Sequence, residues 1–186
     1  MTKIATSSAD RLAIYIDNSN LWNGSGFDSE NTMIDYRTLV DELADGREIC
    51  FCKVYDSYRH KTVKGEDRIN YGLRDYLSDN GFETYFKDTY DPIKDEQKQI
   101  DGMINVDITK DAFMDRYDRL ILVSGDEDFV PGLTAAKELG KKVEIASFSK
   151  CLARELRNCG KFTCLDDMVI GIDKGNVYQK EGFADV

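Results

Sequence analysis

Histidine is almost absent from this chain of 186 residues, which contains only His60. Structural zinc sites are usually built from four cysteine or histidine ligands, so a mixed cysteine–histidine zinc site lacks its second ligand type. The five cysteines are odd in number and scattered, which is too sparse a set for a disulfide scaffold. We therefore expect free thiols rather than a zinc domain or a disulfide-rich secreted protein.

Long apolar runs are also missing. No stretch approaches the roughly 18 residues that a membrane helix requires, and the first residues, "MTKIATSSADR", lack the apolar segment of a signal peptide. These absences predict a cytoplasmic protein without membrane association.

Positive charge is scarce: the chain has 25 lysines and arginines but 35 acidic residues, which gives a net charge of −10. Strong non-specific binding to nucleic acid normally requires a basic face, and the composition shows no overall basic excess. The surplus acid either surrounds metal sites or serves only to keep the protein soluble.

Two common phosphate-binding motifs are absent. No G-x-G-x-x-G follows the first predicted strand, and no G-x-x-x-x-G-K-[ST] occurs anywhere. The segment "DNSNL" matches neither the D-x-D of haloacid-dehalogenase-type phosphatases nor the D-x-S-x-S of integrin-type metal sites. The sequence thus argues against dinucleotide and P-loop nucleotide sites.

What the chain does contain is an alternation of strand-like and helix-like segments. This order predicts an α/β fold of three layers, α/β/α, with a mainly parallel central sheet. The length suits one domain over residues 1–186, with a core of about 12–168 and a polar tail beyond about 172. Residues 59–66 and 91–97 are expected to be long connections. Strands are predicted at 12–17, 48–58, 82–90, 119–126, 141–148 and 161–167, and helices at 34–45, 67–81, 98–115, 129–140 and 151–160.

Carboxylates follow two of these strands directly. Asp17 ends the first strand, and Asp126 and Asp128 follow the apolar run "LILV". Ligand sites of parallel sheets lie outside the carboxyl ends of the strands, so these acids should share one edge. Asp101 lies near the start of the helix at 98–115, on the border of its apolar face, and Asp107 falls within that face. The five acids are therefore candidates for one cluster.

Each acid also has a simpler interpretation. Asp101 could be a helix N-terminal acid, Asp107 a buried acid paired with a cation, and Asp126 or Asp128 a helix N-cap. As a set, however, oxygen ligands on several segments suit Mg²⁺ or Mn²⁺. We expect Asp17, Asp101 and Asp126 to hold such an ion, with Asp128 as an outer ligand or cap.

Three segments resemble a known family. "YIDNSNLW", "KQIDGMINVDITKDA" and "LILVSGDEDFVPGLTAAKELGKKVEIASF", in this order, are similar to the NYN domain of the PIN-like nuclease superfamily, in particular its LabA-like bacterial branch. The resemblance covers roughly residues 12–168 and implies metal-dependent cleavage of RNA through clustered aspartates. The first motif commonly reads I-D-G-x-N, and this chain has Asn18 in place of its glycine.

The resemblance also implies roles for individual residues. It makes Asp17, Asp101, Asp126 and Asp128 catalytic, with Asp107 as a further acid. Asn20 and Ser124 would orient phosphate or water, and Lys98 would contact the scissile phosphate. Four residues of one segment could bind flanking phosphates, although a mobile polar loop would also explain them: Arg59, His60, Lys61 and Lys64. Three aromatic residues could stack on bases, although they could also be packing residues: Trp22, Tyr55 and Tyr58.

The leading hypothesis is thus a Mg²⁺- or Mn²⁺-dependent endoribonuclease acting on single-stranded RNA. A non-catalytic module that binds RNA or a protein and retains its acids is the alternative, favoured by the acidic composition. Hydrolysis of small phosphoesters would use the same metal chemistry. The sequence leaves a homodimer open and gives neither the RNA target nor the cleavage pattern.

Overall fold

The computed structural model describes residues 10–27, 31–63, 66–88 and 97–173, and within these ranges it leaves out the side chains of 59–63, 66–69, 97 and 98. The predicted polar tail from residue 174 onward, and residues 91–96 of the connection predicted at 91–97, lie outside the described residues. None of the described helices is both long and apolar enough to cross a membrane.

A six-stranded sheet forms the centre of the molecule, and every neighbouring pair of its strands is parallel. This confirms the predicted α/β class and the mainly parallel sheet. The strands are β1 (Leu12–Asp17), β3 (Ile49–Ser57), β6 (Glu83–Lys87), β7 (Arg119–Val123), β8 (Lys142–Ser147) and β9 (Lys161–Cys164). Their spatial order is β6-β3-β1-β7-β8-β9.

Helices cover both faces of this sheet. Along β1, Leu12, Ile14 and Ile16 pack into one buried cluster, whereas Ala13 and Tyr15 pack into the other, as the alternation of a strand requires. The first cluster includes side chains of α1 (Asn18–Ser25), α2 (Tyr36–Ala44) and α3 (Gly72–Asp79). The second includes side chains of α4 (Gln97–Phe113) and α5 (Val130–Glu138). The result is the predicted three-layer arrangement.

Two small antiparallel pairs were not predicted. β2 (Thr32–Ile34) pairs with β10 (Gly171–Asp173). β4 (Arg59–Val63) pairs with β5 (Glu66–Asn70), so the predicted loop at 59–66 is instead part of a hairpin. The helix predicted over 67–81 is wrong in its first part, because residues 67–70 pair with β4 and the helix begins only at Gly72.

The short helix predicted over 151–160 is also wrong. Single turns of 3-10 helix occupy Ser149–Cys151 and Leu156–Asn158. Between them, the backbone amide of Ala153 donates to the carbonyl of Gly125 at 2.8 Å and not to a carbonyl of its own segment. This segment serves as a support for the loop after β7.

A buried lysine fixes α4 against the sheet. Lys53 on β3 is 2% exposed, and its Nζ lies 2.7 Å from Asp111 Oδ2 and 3.4 Å from Asp107 Oδ2. The hydroxyl of Tyr15 donates to Asp111 at 2.9 Å and that of Tyr55 to Asp107 at 2.7 Å. Two successive turns of α4 are therefore joined by polar contacts to β1 and β3, which sets the position of the helix along the sheet.

Replacing Lys53 with methionine should destabilise the protein by about 2 kcal/mol, because it removes the buried cation from Asp111, which keeps only the partly exposed Arg116 at 2.9 Å, and from the half-buried Asp107. Lys142→Met is the matched control, since Lys142 pairs with Asp10 at 2.7 Å but is 57% exposed and should cost less than about 1 kcal/mol. The free energy of unfolding in urea measures both. Equal losses in the two variants would contradict the role of Lys53.

Candidate active site

The candidate site lies where the order of the strands reverses. From β1 the chain builds the sheet outward through β3 and β6, then returns to the other side of β1 with β7, β8 and β9. The carboxyl ends of β1 and β7 therefore flank a switch point, the place where parallel sheets bind ligands. Asp17 ends β1, and Ser124, Gly125 and Asp126 follow β7.

Asp17 is held in this crevice by two hydrogen bonds. Its Oδ1 accepts from the backbone amide of Asn20 at 3.1 Å and so caps the start of α1. Its Oδ2 accepts from the hydroxyl of Ser124 at 3.1 Å. The residue is 2% exposed. A carboxylate is therefore fixed in one orientation at the junction of β1, α1 and the loop after β7.

The loop after β7 is tied to the same residues. The amide of Gly125 donates to Asn20 Oδ1 at 3.0 Å, and the amide of Asp126 donates to Ser124 Oγ at 3.2 Å. Asp126 in turn accepts from the amide of Asp128 at 3.0 Å and caps the 3-10 turn Glu127–Phe129. Of the two acids proposed as caps, Asp126 is the one that caps, and Asp128 is exposed. The structure thus brings together Asp17, Asn20, Ser124 and Asp126.

Gly125 permits the close passage of this loop beside its neighbour. A Cβ atom at this position would lie 2.2 Å from the carbonyl oxygen of Cys151 and 2.6 Å from Ser147 Oγ. Only glycine fits there without moving backbone. The glycine of "SGD" is therefore required by the path of the chain that places Ser124 and Asp126.

Helix α4 brings Asp101 to the same edge of the sheet. The helix connects β6 to β7, so its start lies at the carboxyl ends of the strands. Asn105, one turn after Asp101, donates to the carbonyl of Asp128 at 2.9 Å and accepts from the amide of Gly132 at 2.9 Å. Asp101 is 7% exposed and is the fifth residue of α4, beyond the first turn in which the helix dipole favours acids.

Asp107 has a different environment. Its carboxylate accepts from Tyr55 and pairs with Lys53, which matches the simpler interpretation of this acid as the partner of a cation, although Asp107 itself is only half-buried. The proposed RNA contacts Arg59 and Lys61 lie on β4, and Lys98 is the second residue of α4, but their side chains are outside the described part. Tyr55 is fully buried and stacks on Tyr85, so it cannot stack on a base in this conformation.

Two residues of the site were missed by sequence reasoning. Asp56, the next to last residue of β3, is 5% exposed and accepts from Asn18 Nδ2 and, at 3.0 Å, from Ser19 Oγ. Asn18 is 1% exposed, and its Oδ1 also accepts from the hydroxyl of Tyr36. The departure from I-D-G-x-N therefore supplies a buried amide that binds β3 and α2 to the start of α1. The acid at the end of "VYD" was the available signal for Asp56.

The site combines burial with like charges. Burial, with smaller contributions from the charges of Asp126 and Asp56, raises the pKa of Asp17 to about 6 against the effect of the two hydrogen bonds. At the mouth, the charge of Glu155 raises the pKa of Glu127. Within the described residues, none of Asp17, Asp56 and Asp126 forms an ion pair with a lysine or arginine. The crevice would therefore favour a bound cation.

The fit of a metal ion is supported by this unpaired charge. Among the described residues, no three histidine, cysteine, aspartate or glutamate side chains are close enough to hold a metal between them as they stand. Mg²⁺, however, keeps several waters and is commonly bound through one or two carboxylates together with substrate phosphate. Asp17 and Asp126 provide such a partial set, and the three-aspartate coordination stays a prediction.

The sequence and the fold of this chain both have known counterparts. Residues 11–166 match the model of the NYN domain. The chain belongs to the NYN family. This confirms the resemblance noted in the sequence, and the family links the chain to nuclease-like or RNA-related functions. Domains of this kind are generally dependent on divalent metal.

Individual relatives are distant. The chain is 25% identical over 170 residues to the low amplitude and bright protein LabA of Synechococcus elongatus, covering 88% of each chain, which supports the LabA-like branch. It is 23% identical over 171 residues to an uncharacterised protein of Methanocaldococcus jannaschii, covering 92% of this chain and 61% of that one. A crystal structure of a Vibrio parahaemolyticus protein of unknown function superimposes with a TM-score of 0.67 at 22% identity, over 87% of this chain and 96% of the other. That likeness concerns the fold alone.

The raised pKa of Asp17 makes stability depend on pH. Because the native state holds this proton more tightly than the unfolded chain, Asp17 contributes up to about 3 kcal/mol to the free energy of unfolding below about pH 4, and this contribution is lost as the pH rises through about 6. Asp17→Asn keeps a hydrogen-bonding side chain without the charge and lacks this contribution, so the difference in stability between the two proteins should change by that amount across the range. Urea unfolding of both proteins across this range, without divalent metal, measures it. Parallel curves for the two proteins would contradict the assignment.

Proposed function

We propose that this NYN protein is a Mg²⁺- or Mn²⁺-dependent endoribonuclease that cleaves single-stranded RNA. The observation that carries the proposal is the buried carboxylate of Asp17 at the switch point, surrounded by like charges and without a described cationic partner. A carboxylate in that position is costly unless a cation compensates it. The membership of the family supports RNA as the substrate.

In this proposal Asp17 and Asp126 hold the ion, and Asp101 approaches it from α4. The bound ion would supply polarisation of a phosphate oxygen and activation of water for in-line attack. Asp128, exposed beside Asp126, would be an outer ligand. Asn20 and Ser124 would orient the phosphate or the water. The basic residues would bind the RNA backbone.

The two polar residues between the acids fit an orienting role. Ser124 donates to Asp17 and accepts from the amide of Asp126, so its hydroxyl sets the relative position of the two carboxylates. Asn20 uses its Oδ1 to hold Gly125, and its Nδ2 makes no hydrogen bond to any described residue, which leaves a donor for phosphate or water. Lys98, Arg59 and Lys61 are the proposed contacts to phosphates on either side.

The alternative is a non-catalytic module that binds RNA or a protein and keeps its acids for stability. The net charge of −10 favours it. The cluster argues against it, because carboxylates that repel one another destabilise a fold, and a purely structural role would be better served by the paired acids seen elsewhere in this chain.

Divalent metal should stabilise the protein through the site. At a hundredfold excess over its Kd, an ion that binds only the native state contributes about 2.7 kcal/mol, which corresponds to a rise in Tm of roughly 5–10 °C for a chain of this size. Asp126→Asn should lose most of this rise. Thermal unfolding with Mg²⁺, with Mn²⁺ and with EDTA measures it.

Asp41→Asn is the matched control for that experiment. Asp41 is exposed and lies in the second half of α2. Arg47 joins that end of the helix to Glu144, near the amino end of β8 and thus at the edge of the sheet opposite the site. Its variant should respond to metal as the wild type does. A metal-induced rise of equal size in Asp126→Asn would contradict the role of Asp126.

Turnover separates the enzyme from the binding module. Asp101→Asn and Asp17→Asn should abolish metal-dependent cleavage of a labelled single-stranded RNA while RNA affinity persists or rises, because one negative charge fewer faces the phosphates. Cleavage in Mn²⁺ and in EDTA, together with binding in EDTA, measures both effects. If purified wild type and Asp101→Asn degrade RNA at the same rate, the activity belongs to a contaminant and the proposal fails.

A further inference from the structure

An aromatic cluster with an arginine lies at the same edge of the sheet as the acids but belongs to neither the core nor the carboxylate site. It consists of Tyr58, which follows β3 directly, Tyr71, which precedes α3, and Arg74 in the first turn of α3. The Arg74 guanidinium lies 4.7 Å from the centre of the Tyr71 ring and 5.8 Å from that of Tyr58. The two tyrosine rings are 5.1 Å apart at 74°.

Tyr58 holds the cluster against the protein, whereas Tyr71 is exposed. The ring of Tyr58 packs 5.5 Å from that of Phe86 on β6, its hydroxyl accepts from Arg74 at 3.1 Å, and its backbone amide donates to the carbonyl of Lys87 at 2.7 Å. Tyr71, in contrast, is 43% exposed. An exposed aromatic ring held in place by a half-buried partner loses little freedom when a planar ligand stacks on it.

The position of the cluster relates it to the acids. It lies at the carboxyl ends of β3 and β6, and β6 is the second strand from β1 on that side. Since neighbouring strands are about 4.8 Å apart, the cluster stands on the order of 10 Å along the edge from the end of β1. Tyr58 and Tyr71 also flank the base of the β4–β5 hairpin, where Arg59 pairs with Asn70. A strand of RNA that crosses the carboxylate site would pass this cluster within a few nucleotides.

The chemistry of the cluster fits a nucleobase. Unpaired bases are recognised mainly by stacking on aromatic rings and on arginine guanidinium planes, and such stacking tolerates any base. The charge of Arg74 is partly compensated by Asp75 at 2.5 Å, so the cluster offers flat stacking surface more than net positive charge. That property suits a base better than a phosphate.

We propose that Tyr71 and Arg74, supported by Tyr58, form a stacking subsite for an unpaired base of single-stranded RNA beside the carboxylate site. The subsite rests on the proposed function only in taking RNA as the ligand, and it makes no use of cleavage. It predicts that affinity depends on the presence of a base and not only on the ribose-phosphate backbone.

The test compares two fluorescent probes of equal length, a single-stranded RNA and an abasic ribose-phosphate chain, by anisotropy in EDTA, where metal-dependent cleavage cannot occur. Wild type should bind the RNA more tightly than the abasic chain. Tyr71→Ala should weaken RNA binding by about 5- to 100-fold and leave binding of the abasic chain unchanged. Tyr71→Phe keeps the ring and should bind as wild type does.

Asp101→Asn separates this proposal from the catalytic one, since it should retain the preference for RNA over the abasic chain even though it does not cleave. Thermal unfolding of Tyr71→Ala shows that it is folded at the assay temperature. The proposal is overturned if wild type does not distinguish the two probes, if it binds neither, or if Tyr71→Ala keeps the full preference of wild type for RNA.

Discussion

The carboxylate of Asp17 is the point on which the architecture of the site depends. It caps α1, receives the hydroxyl of Ser124, and lies in the only reversal of strand order within the described sheet. Each of these contacts joins a different element: β1 to α1, and β1 to the loop after β7. The Asp17 carboxylate is also buried among like charges. The hydrogen bonds that organise the site therefore hold this carboxylate where its negative charge has no positive partner among the described residues. An acid whose only task was to cap a helix would be more stable at the surface.

The two edges of the sheet differ in whether their acids are paired with arginines. At the amino ends of the strands, buried Glu144 is paired with Arg47 at 2.7 Å and with Arg119 at 2.6 Å, and Asp118 is bound by Arg11 at 2.8 Å. At the carboxyl ends, Asp17, Asp56 and Asp126 have no such pairs among the described residues. The chain therefore has arginines with which to neutralise buried acids and places them at the other edge. Among the described residues, Asp17 and Asp56 are thus buried acids without a lysine or arginine partner, and both lie at the switch point, where a cation would have a function.

Much of this could be predicted from local pattern. The strands that build the sheet are apolar runs bounded by turn residues, so β1, β3 and β8 were found within one residue and β7 within three. The parallel order followed from the alternation with helices. The failures have physical reasons. Ile69 fits the stripe of α3, but hairpin pairing with β4 outweighs helical periodicity. Residues 151–160 have the composition of a helix, yet the backbone amide of Ala153 donates to the carbonyl of Gly125 and not to a carbonyl within the segment. Asp56 and Asn18 could not be paired in advance, because their contact depends on how α1 meets β3.

Helix α4 shows why a motif alone does not assign roles to its acids. Asp101 and Asp107 lie six residues apart, and both fall at or within the apolar face by sequence. The structure gives Asp107 a lysine and a tyrosine hydroxyl, and the same lysine holds Asp111 one turn further on. These contacts fix how far α4 extends along the sheet, and Asn105 fixes its start against the loop after β7. The position of Asp101 along the edge of the sheet is then a consequence of the contacts that Asp107, Asp111 and Asn105 make. Neither burial nor membership of the motif therefore assigns a role to an acid of this helix; the groups that surround its carboxylate have to be known.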